Sequence, residues 1–230
     1  MRAGVIGTID GKFDEIEPFH QTQEQDGRRF TRSLQVNRTS HRDSGYTVYV
    51  GEAATQVIED VESVKVDPET GEISVGERPT KESKYTQFVA VPGVFIAVSS
   101  GSGTFAFDLL QSQHPGTHIE RAELNLNAYA DDYYTAEGVD PWQIGFYGNI
   151  GQAEKGVVYG ENVISDDDIG DVLERSQINQ LGLQYEMMGY DMKVTLAESG
   201  YVEVYNPSNI ETEEFAEYIA DEILAYEKEK

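Results

Sequence analysis

A cluster of arginines is the first group of side chains in this sequence that could do chemistry. Five of the nine arginines fall within one short stretch: Arg28, Arg29, Arg32, Arg38 and Arg42. A guanidinium group binds phosphate or carboxylate through two parallel hydrogen bonds, so the cluster predicts a phosphate-bearing ligand or a nucleic acid. The alternative is that these arginines pair with the chain's own carboxylates, because Asp and Glu together number 42.

Two histidines and a glycine-rich loop are weaker candidates. His114 and His118 have the spacing that lets two imidazoles share a metal ion on a helix. Pro115-Gly116 lies between them and predicts a turn, so we expect histidines in a surface loop. The loop Gly101–Thr104 could offer backbone amides to an anion, but it lacks the lysine of a P-loop and the third glycine of a dinucleotide fingerprint. It predicts an ordinary tight turn.

A third pattern would support metal-dependent hydrolysis. Asp67, Glu82 and Lys84 match in outline the acids that hold Mg²⁺ and the lysine that supports a water nucleophile in some nucleases. Short matches of this kind arise by chance in a chain so rich in glutamate. The runs Asp131-Asp132 and Asp166–Asp168 are typical of solvated acidic surfaces. The sequence therefore assigns no catalytic residue, no metal ligand and no cofactor.

The net charge defines the environment in which these side chains act. Lys and Arg number 17, which gives a formal charge of -25, and the acids are spread along the whole chain. Such a chain repels itself unless salt shortens the Debye length, which is roughly 3 Å at molar ionic strength. The composition predicts a protein of a salt-accumulating cell, above all a halophilic archaeon. An acidic protein that mimics DNA is the alternative.

Other features exclude whole classes of protein. The chain has no cysteine, which excludes disulfides, thiol catalysis and thiolate metal sites. Residues 1–10 lack the apolar core of a signal peptide, and no apolar run approaches the ~20 residues that a membrane helix needs. We therefore expect a cytoplasmic protein that does not enter a membrane.

The first half of the chain is expected to be rich in strands. Alternating or β-branched runs predict strands at Val5–Ile9, Phe30–Val36 and Thr47–Val50. Asp67–Gly71 predicts a hairpin turn, and Val57–Val66 before it fits either a strand or a helix. The polar residues 12–27 and the charged residues 76–83 predict loops. Pro92-Gly93 should divide the apolar stretch Phe88–Val98.

The second half is expected to alternate between helices and strands. Phe105–Leu110 predicts a short helix, and residues 119–134 fit a strand or, as we favour, a helix. Gln143–Tyr147 and Val157–Val163 are strand candidates, and Ser165–Asp168 predicts a helix cap.

The last third has the clearest pattern. Alternation at Leu181–Tyr185, Met192–Leu196 and Val202–Val204 predicts an antiparallel three-stranded meander. Apolar residues recur every three or four positions from Phe215 to Leu224 and predict an amphipathic helix that begins with a capping box of Ser208 and Glu211. We expect this terminal helix to pack across one face of the meander.

Together these patterns predict an α+β fold with mixed or antiparallel sheets. It is either divided into a strand-rich part, residues 1–136, and a meander-plus-helix part, residues 137–230, or continuous as one domain. Because no catalytic constellation is present, the first functional hypothesis is a non-catalytic interaction or accessory protein, for example of a mobile element, whose partner is another protein. Nucleic-acid or phosphate binding by the arginines is the second hypothesis, and metal-dependent hydrolysis is the third.

Overall fold

The computed structural model describes residues 1–25, 27–134, 138–150, 153–161, 163, 176–187 and 189–228. The strands in this part of the chain are β1 Ala3–Asp10, β2 Phe19–Gln25, β3 Arg28–His41, β4 Thr47–Val66, β5 Ile73–Val91, β6 Phe95–Val98, β7 His118–Arg121, β8 Asp140–Ile150, β9 Ala153–Tyr159, β10 Gln177–Met187, β11 Tyr190–Ala197 and β12 Tyr201–Asn206. The helices are α1 Phe105–Gln113, α2 Leu126–Tyr134 and α3 Thr212–Tyr218, and α3 continues through a π-helical turn, Ile219–Ile223, and a 3-10 turn, Leu224–Tyr226.

All these strands belong to one antiparallel sheet. Its order is β2-β3-β4-β5-β6-β1-β12-β11-β10-β8-β9, and β7 pairs with β1 beside this path. The predicted α+β class is therefore confirmed in its broad form. Strands from both sides of residue 136 lie in this sheet, and the division into two parts stays a prediction.

The middle of the sheet is buried on both faces, which explains the apolar stretch Phe88–Val98. Phe88, Ala90, Ile96 and Val98 enter a core shared with α1, whereas Val89, Val91, Phe95 and Ala97 enter a second core shared with α2 and α3. A strand packed on both sides shows no polar alternation, because neither face meets water. Pro92-Gly93 forms the turn between β5 and β6, as predicted.

Two segments predicted as loops are strands. Residues 19–25 form the edge strand β2, which pairs with β3 from Phe19↔Leu34 to Gln25↔Arg28. Phe19 packs against a core, but the residues after it in β2 are polar. The apolar alternation that signals a strand is therefore missing. Residues 76–83 belong to β5 and pair with β4. Their charge reflects exposure of both faces of a strand rather than a loop.

Helix boundaries also differ from the prediction. Residues 118–121 form β7 and α2 begins at Leu126, so the predicted helix over residues 119–134 is wrong in its first half. Helix α3 is capped by Glu211 and Glu214, whose side chains and backbone amides bond each other reciprocally, rather than by Ser208 and Glu211.

Two further predictions concern the region after β8. Strand β9 ends at Tyr159, so the predicted strand over residues 157–163 lies too far along the chain. The predicted cap Ser165–Asp168 falls outside the described residues. Within the portion of the chain that the structure describes, no helix has the length and apolar character required to cross a membrane.

Candidate functional site

The second half of β3 holds Arg38 in an ion pair with helix α3. Arg38 Nη2 donates to Glu213 Oε2 at 2.8 Å, and Arg38 Nε lies 2.6 Å from Glu213 Oε1. Ser40 Oγ donates to the same Oε1 at 3.0 Å. Glu213 is buried, so these hydrogen bonds compensate its carboxylate for the loss of hydration.

The residues just after β3 extend this row of hydrogen bonds to the next turns of α3 and its continuation. Arg42 Nε and Nη2 donate to Glu217 Oε2 at 3.0 and 2.8 Å, and Ser44 Oγ donates to Glu217 Oε1 at 2.6 Å. Tyr46 OH donates to Asp221 Oδ1 at 2.8 Å. The donors recur at every second residue and the carboxylates at every fourth, which is about one helical turn. We call these groups the helix clamp: Arg38, Ser40, Arg42, Ser44 and Tyr46 with Glu213, Glu217 and Asp221.

The clamp changes the pKa values of its members. Burial acts to raise the pKa of Glu217, but the hydrogen bonds from Arg42 and Ser44 outweigh burial and lower it. The hydrogen bond with Glu217 raises the pKa of Arg42. Each partner stabilises the charged form of the other. Two of the five candidate ligand-binding arginines, Arg38 and Arg42, therefore have an acidic partner inside the protein.

The first half of β3 carries the other three arginines, and within the described residues none of them forms an ion pair. Arg32 Nε donates to the amide oxygen of Gln21 at 2.9 Å, and its guanidinium lies 5.7 Å from the centre of the Phe19 ring. Arg28 and Arg29 are exposed. Successive residues of a strand point to opposite faces, so these two guanidinium groups face solvent on different sides.

Arg28 and Arg32 line a cleft between two hairpins. Beyond the pair Arg32↔Thr55, β3 no longer pairs with β4, so the β2–β3 and β4–β5 hairpins separate. The cleft has a volume of about 660 Å³, and its walls include Gln23, Phe30 and Val57. We call it the hairpin fork. Two guanidinium groups beside an amide and a phenyl ring suit an anion that also offers a flat apolar part.

The β4–β5 hairpin extends far beyond the sheet. The two strands pair continuously from Tyr49↔Ala90 to Val66↔Ile73, whereas β3 leaves β4 at Thr55. Residues 56–66 and 73–83 therefore form a two-stranded ribbon, which we call the arm. At about 3.3 Å per residue it is roughly 35 Å long. The predicted hairpin is confirmed, and the helical alternative for its first strand is wrong.

The end of the arm exposes four β-branched side chains on one face. Val64 pairs with Val75 and Val66 pairs with Ile73 across the ribbon, and residues two apart on a strand share a face. Each of the four is between 56% and 66% exposed. We call them the tip patch. Large exposed apolar clusters mark interaction surfaces, and an isolated two-stranded ribbon is only marginally stable in water.

Acidic residues border the tip patch on both sides. Glu62 pairs with Glu77, and this pair lies on the same face as the tip patch, two residues closer to the sheet. Like charges directly opposite each other destabilise strand pairing. On the other side, the turn carries acids, among them Asp67, whose Oδ1 accepts hydrogen bonds from the amides of Thr70 and Glu69 at 2.9 and 2.8 Å. These hydrogen bonds lower the pKa of Asp67. The tip patch is thus an apolar surface framed by negative charge.

The register of the arm separates the residues of the hydrolase hypothesis. Lys84 pairs with Thr55 at the base of the arm and Glu82 lies nearby, whereas Asp67 lies at the far end. The length of the arm, roughly 35 Å, prevents one ion from contacting all three. Lys84 instead forms an ion pair of 2.7 Å with Glu59. Among the described residues, no group of three or more metal-ligating side chains could hold an ion.

The two histidines have different partners. The His114 ring stacks on Phe13 with the ring centres 3.9 Å apart, and burial lowers the pKa of His114. His118 Nε2 lies 3.7 Å from Glu120 Oε1. The glycine-rich loop forms a 3-10 turn before α1, and Thr104 Oγ1 donates to the carbonyl of Gly101 at 3.0 Å. Pro115-Gly116 is a turn, as expected, but His118 begins strand β7 and His114 is half-buried, so the expected pair of surface-loop histidines is not found.

Sequence reasoning missed a buried network of tyrosines. The Tyr185 hydroxyl lies 2.8 Å from that of Tyr218 and 3.2 Å from that of Tyr129. Burial raises the pKa of Tyr218 and of Tyr129 far above the ordinary value. Each hydroxyl has a partner, so the network allows bulky aromatic rings to fill the core beneath α3. The three residues lie on β10, α3 and α2, and no local pattern connects them.

A second exposed apolar surface lies on β8, β9 and β12. The Trp142 ring centre is 5.7 Å from that of Tyr205 and 6.5 Å from that of Tyr159, which is 66% exposed. Val157, also exposed, shares a face of β9 with Tyr159. Lys193 Nζ lies 4.4 Å from the Trp142 ring centre. We call Trp142, Val157, Tyr159 and Tyr205 the aromatic platform.

Comparisons with known proteins leave the function to be argued from these surfaces. A scan against protein-family models finds no match, and no curated protein matches the chain.

Proposed function

We propose that this chain is a non-catalytic interaction protein that works in the cytoplasm of a salt-adapted, halophilic cell or of its mobile element, and that it binds another protein through the tip patch. The single observation that carries the proposal is the arm, which places four exposed β-branched side chains about 35 Å from the sheet. Covering an exposed apolar face removes it from water and stabilises the complex.

The charges around the tip patch define the chemistry of its partner. Glu62 and Glu77 oppose each other beside the patch, and a nearby cation would relieve their repulsion. The complementary surface is therefore apolar and bordered by lysine or arginine. Such charge complementarity contributes to the choice of partner as well as to the rate of association.

The rest of the fold supports the arm as a rigid base. In this proposal the C-terminal meander of β10, β11 and β12, with α3 packed across it, is the scaffold. The helix clamp ties α3 to β3, and β3 pairs with β4 from His41↔Thr47 to Arg32↔Thr55, where the arm begins. Fixing the root of the arm in this way reduces the entropy that binding would otherwise cost.

The test compares the wild-type chain with an arm variant that carries Val66→Thr and Ile73→Thr. Threonine keeps the β-branched shape and the strand propensity but adds a hydroxyl group to the tip patch. A protein captured from native lysate by the wild type in molar KCl is identified and purified, and its affinity for both chains is measured. We expect the arm variant to bind about tenfold more weakly, a change of about 1.4 kcal/mol.

The matched control is Tyr190→Thr, which changes an exposed apolar residue outside both surfaces. It should bind as the wild type does. Equal affinity of the arm variant and the wild type for the purified partner would contradict the role of the tip patch.

The salt-adapted environment has a test of its own. The free energy of unfolding should rise from dilute buffer to molar KCl, because screening weakens the repulsion within a chain of net charge -25. Sucrose at matched osmolarity is the control, since it does not screen charge, and it should stabilise the chain less. A free energy of unfolding that does not change with KCl would contradict adaptation to salt.

The hairpin fork favours a second candidate function, the binding of a phosphate-bearing ligand or nucleic acid. Arg28 and Arg32 line its cleft, whereas Arg29 faces solvent on the other side of β3. The test titrates labelled DNA and RNA, with inorganic phosphate as competitor, in increasing KCl. We expect Arg28→Glu combined with Arg32→Glu to abolish binding, and Arg78→Glu, at an exposed arginine on the arm, to preserve it. Absence of binding at every salt concentration at which the chain is folded would exclude this function.

A further inference from the structure

Large exposed apolar side chains concentrate in two places among the described residues. One set lies on the arm and comprises Val61, Val64, Val66, Ile73 and Val75. The other lies on or beside the aromatic platform and comprises Tyr147, Val157, Tyr159 and Tyr205. Only Tyr85 and Tyr190 of the described large exposed apolar residues lie apart from both sets. In a chain this acidic, two apolar surfaces of different shape suggest a pair that fit together.

We infer that the partner of the tip patch is the aromatic platform of a second copy of this chain. The inference rests on the role proposed above for the arm, and it names the partner. A contact between two different surfaces is heterologous, so each bound copy still presents one free tip patch or one free platform. Repetition of the contact therefore builds an open chain of copies or closes into a ring.

The charges of the two surfaces are complementary. Lys155, Val157 and Tyr159 are two residues apart along β9, so Lys155 shares their exposed face. Lys193 lies against the ring of Trp142. In the part of the chain that the structure describes, neither lysine forms an ion pair. The platform thus has two lysines without an ion pair beside Tyr159 and Trp142, whereas Glu203 lies at its Tyr205 end. The lysine side matches a tip patch bordered by acids.

A depression beside the platform provides space for the side chains of the tip patch. It has a volume of about 680 Å³ and is lined by Tyr147, Lys155, Val157 and Glu198, among others. Glu198 forms an ion pair with Lys228, so its charge is already neutralised. An aliphatic side chain placed there would contact Val157 and the face of Tyr147 while an acid next to it reached Lys155.

The two competing ways of covering the tip patch are disfavoured. Packing two tip patches against each other would bring Glu62 and Glu77 of one copy against the acids of the other's turn. Folding the arm onto its own platform is prevented by distance. Six strands separate β5 from β9, a span of roughly 34 Å, and the arm runs along the strand direction rather than across the sheet.

The assembly should be weak and promoted by salt. Four side chains are far fewer than the roughly 20–30 residues that each partner contributes to a stable interface, so the contact forms reversibly at high protein concentration. Two copies of charge -25 repel each other in dilute buffer, and molar KCl removes most of this repulsion.

Sedimentation velocity of the full chain over a concentration series in molar KCl tests the inference. The arm variant is Val66→Thr with Ile73→Thr, and the platform variant is Val157→Thr with Tyr159→Thr. We expect the wild type and Tyr190→Thr to form dimers and larger species, and each variant alone to remain monomeric. An equimolar mixture of the two variants should form a dimer and nothing larger, because it retains one intact tip patch and one intact platform.

A charge exchange gives an independent readout. At the lowest KCl concentration at which the wild type assembles, where screening is least, Lys155→Glu should weaken assembly. Glu62→Lys with Glu77→Lys in the copy that supplies the arm should restore it. The inference is overturned if the platform variant alone dimerises, which would indicate contact between tips, or if the wild type is monomeric throughout. In the latter case the binding of a purified lysate protein by the arm decides separately whether the proposed function stands.

Discussion

The two halves of strand β3 carry the same kind of side chain in opposite surroundings. In the second half Arg38, and directly after the strand Arg42, reach α3 and bind Glu213 and Glu217. In the first half, Arg28 extends along a hairpin that has left the sheet and lines an open cleft. The difference arises because α3 packs over only one end of the strand. A run of like charges in a sequence can therefore be divided, by one helix, into a structural and an exposed part.

Of the substitutions that test this comparison, Arg38→Ala should lower the free energy of unfolding most. The change leaves the buried carboxylate of Glu213 with Ser40 as its remaining side-chain donor, and an underpaired buried charge is costly. We expect a loss of about 2 kcal/mol in the free energy of unfolding, less than for a fully buried pair because the arginine is half exposed. Urea unfolding in molar KCl measures it. Adding Glu213→Gln should recover part of the loss, and a change below about 0.5 kcal/mol for Arg38→Ala would refute the clamp.

Arg42→Ala should have an intermediate effect. It removes two hydrogen bonds to Glu217, whose side chain is more accessible to water than that of Glu213 and keeps the bond from Ser44. We expect a loss of about 1 kcal/mol in the same urea experiment. If Arg42→Ala costs more than Arg38→Ala, burial of the carboxylate does not control the strength of the clamp.

The clamp also predicts a dependence on pH. The pKa of Glu217 is lower in the folded protein than its ordinary value of 4.5, so its charged form stabilises the fold above that pH. This contribution should be lost as the pH falls below 4.5 and through the folded pKa. At neutral pH the wild type should therefore have a larger free energy of unfolding than Glu217→Gln, and this difference should disappear in acid. A difference that persists at low pH would show that it does not come from the charge.

Substitutions of arginine in the first half of β3 should change the free energy of unfolding least. Arg28→Ala and Arg29→Ala remove exposed groups that form no ion pair among the described residues, so each should change the free energy of unfolding by less than about 0.5 kcal/mol. Thermal unfolding in molar KCl compares them with Arg38→Ala. A loss as large as that of Arg38→Ala would mean that the two halves of the strand do not differ in the way described.

Local patterns predicted the features that depend on neighbouring residues. The turn at Asp67–Gly71 and the break at Pro92-Gly93 follow from residues that favour turns, and the sheet confirms both. The length of the arm could not be predicted, because residues 76–83 are charged on both faces and lack the alternation of a half-buried strand. Edge strand β2 was missed for the same reason. Periodicity reports burial, and a strand without burial gives no signal.

The division of the arginines could not be predicted either. The sequence contains both halves of the clamp as regular spacings, polar residues at every second position from Arg38 to Tyr46 and acids at every fourth from Glu213 to Asp221. Nothing in it joins two segments about 175 residues apart in the chain. The alternative that the arginines pair with the chain's own acids was stated from composition. It describes Arg38 and Arg42 but not the exposed Arg28 and Arg29.

The position of β1 in the sheet bears on how the chain reaches its folded state. β1 is made before both of its neighbours: it pairs with β6 on one side and, through Ala3↔Glu203 to Val5↔Tyr201, with β12 on the other. During synthesis, the backbone groups of Ala3–Val5 that face β12 have no strand to bind until residue 203 leaves the ribosome. A central edge left open for so long can pair with another nascent chain. β12 thus closes the sheet beside β1, and the two halves can join only after residue 203 has been made.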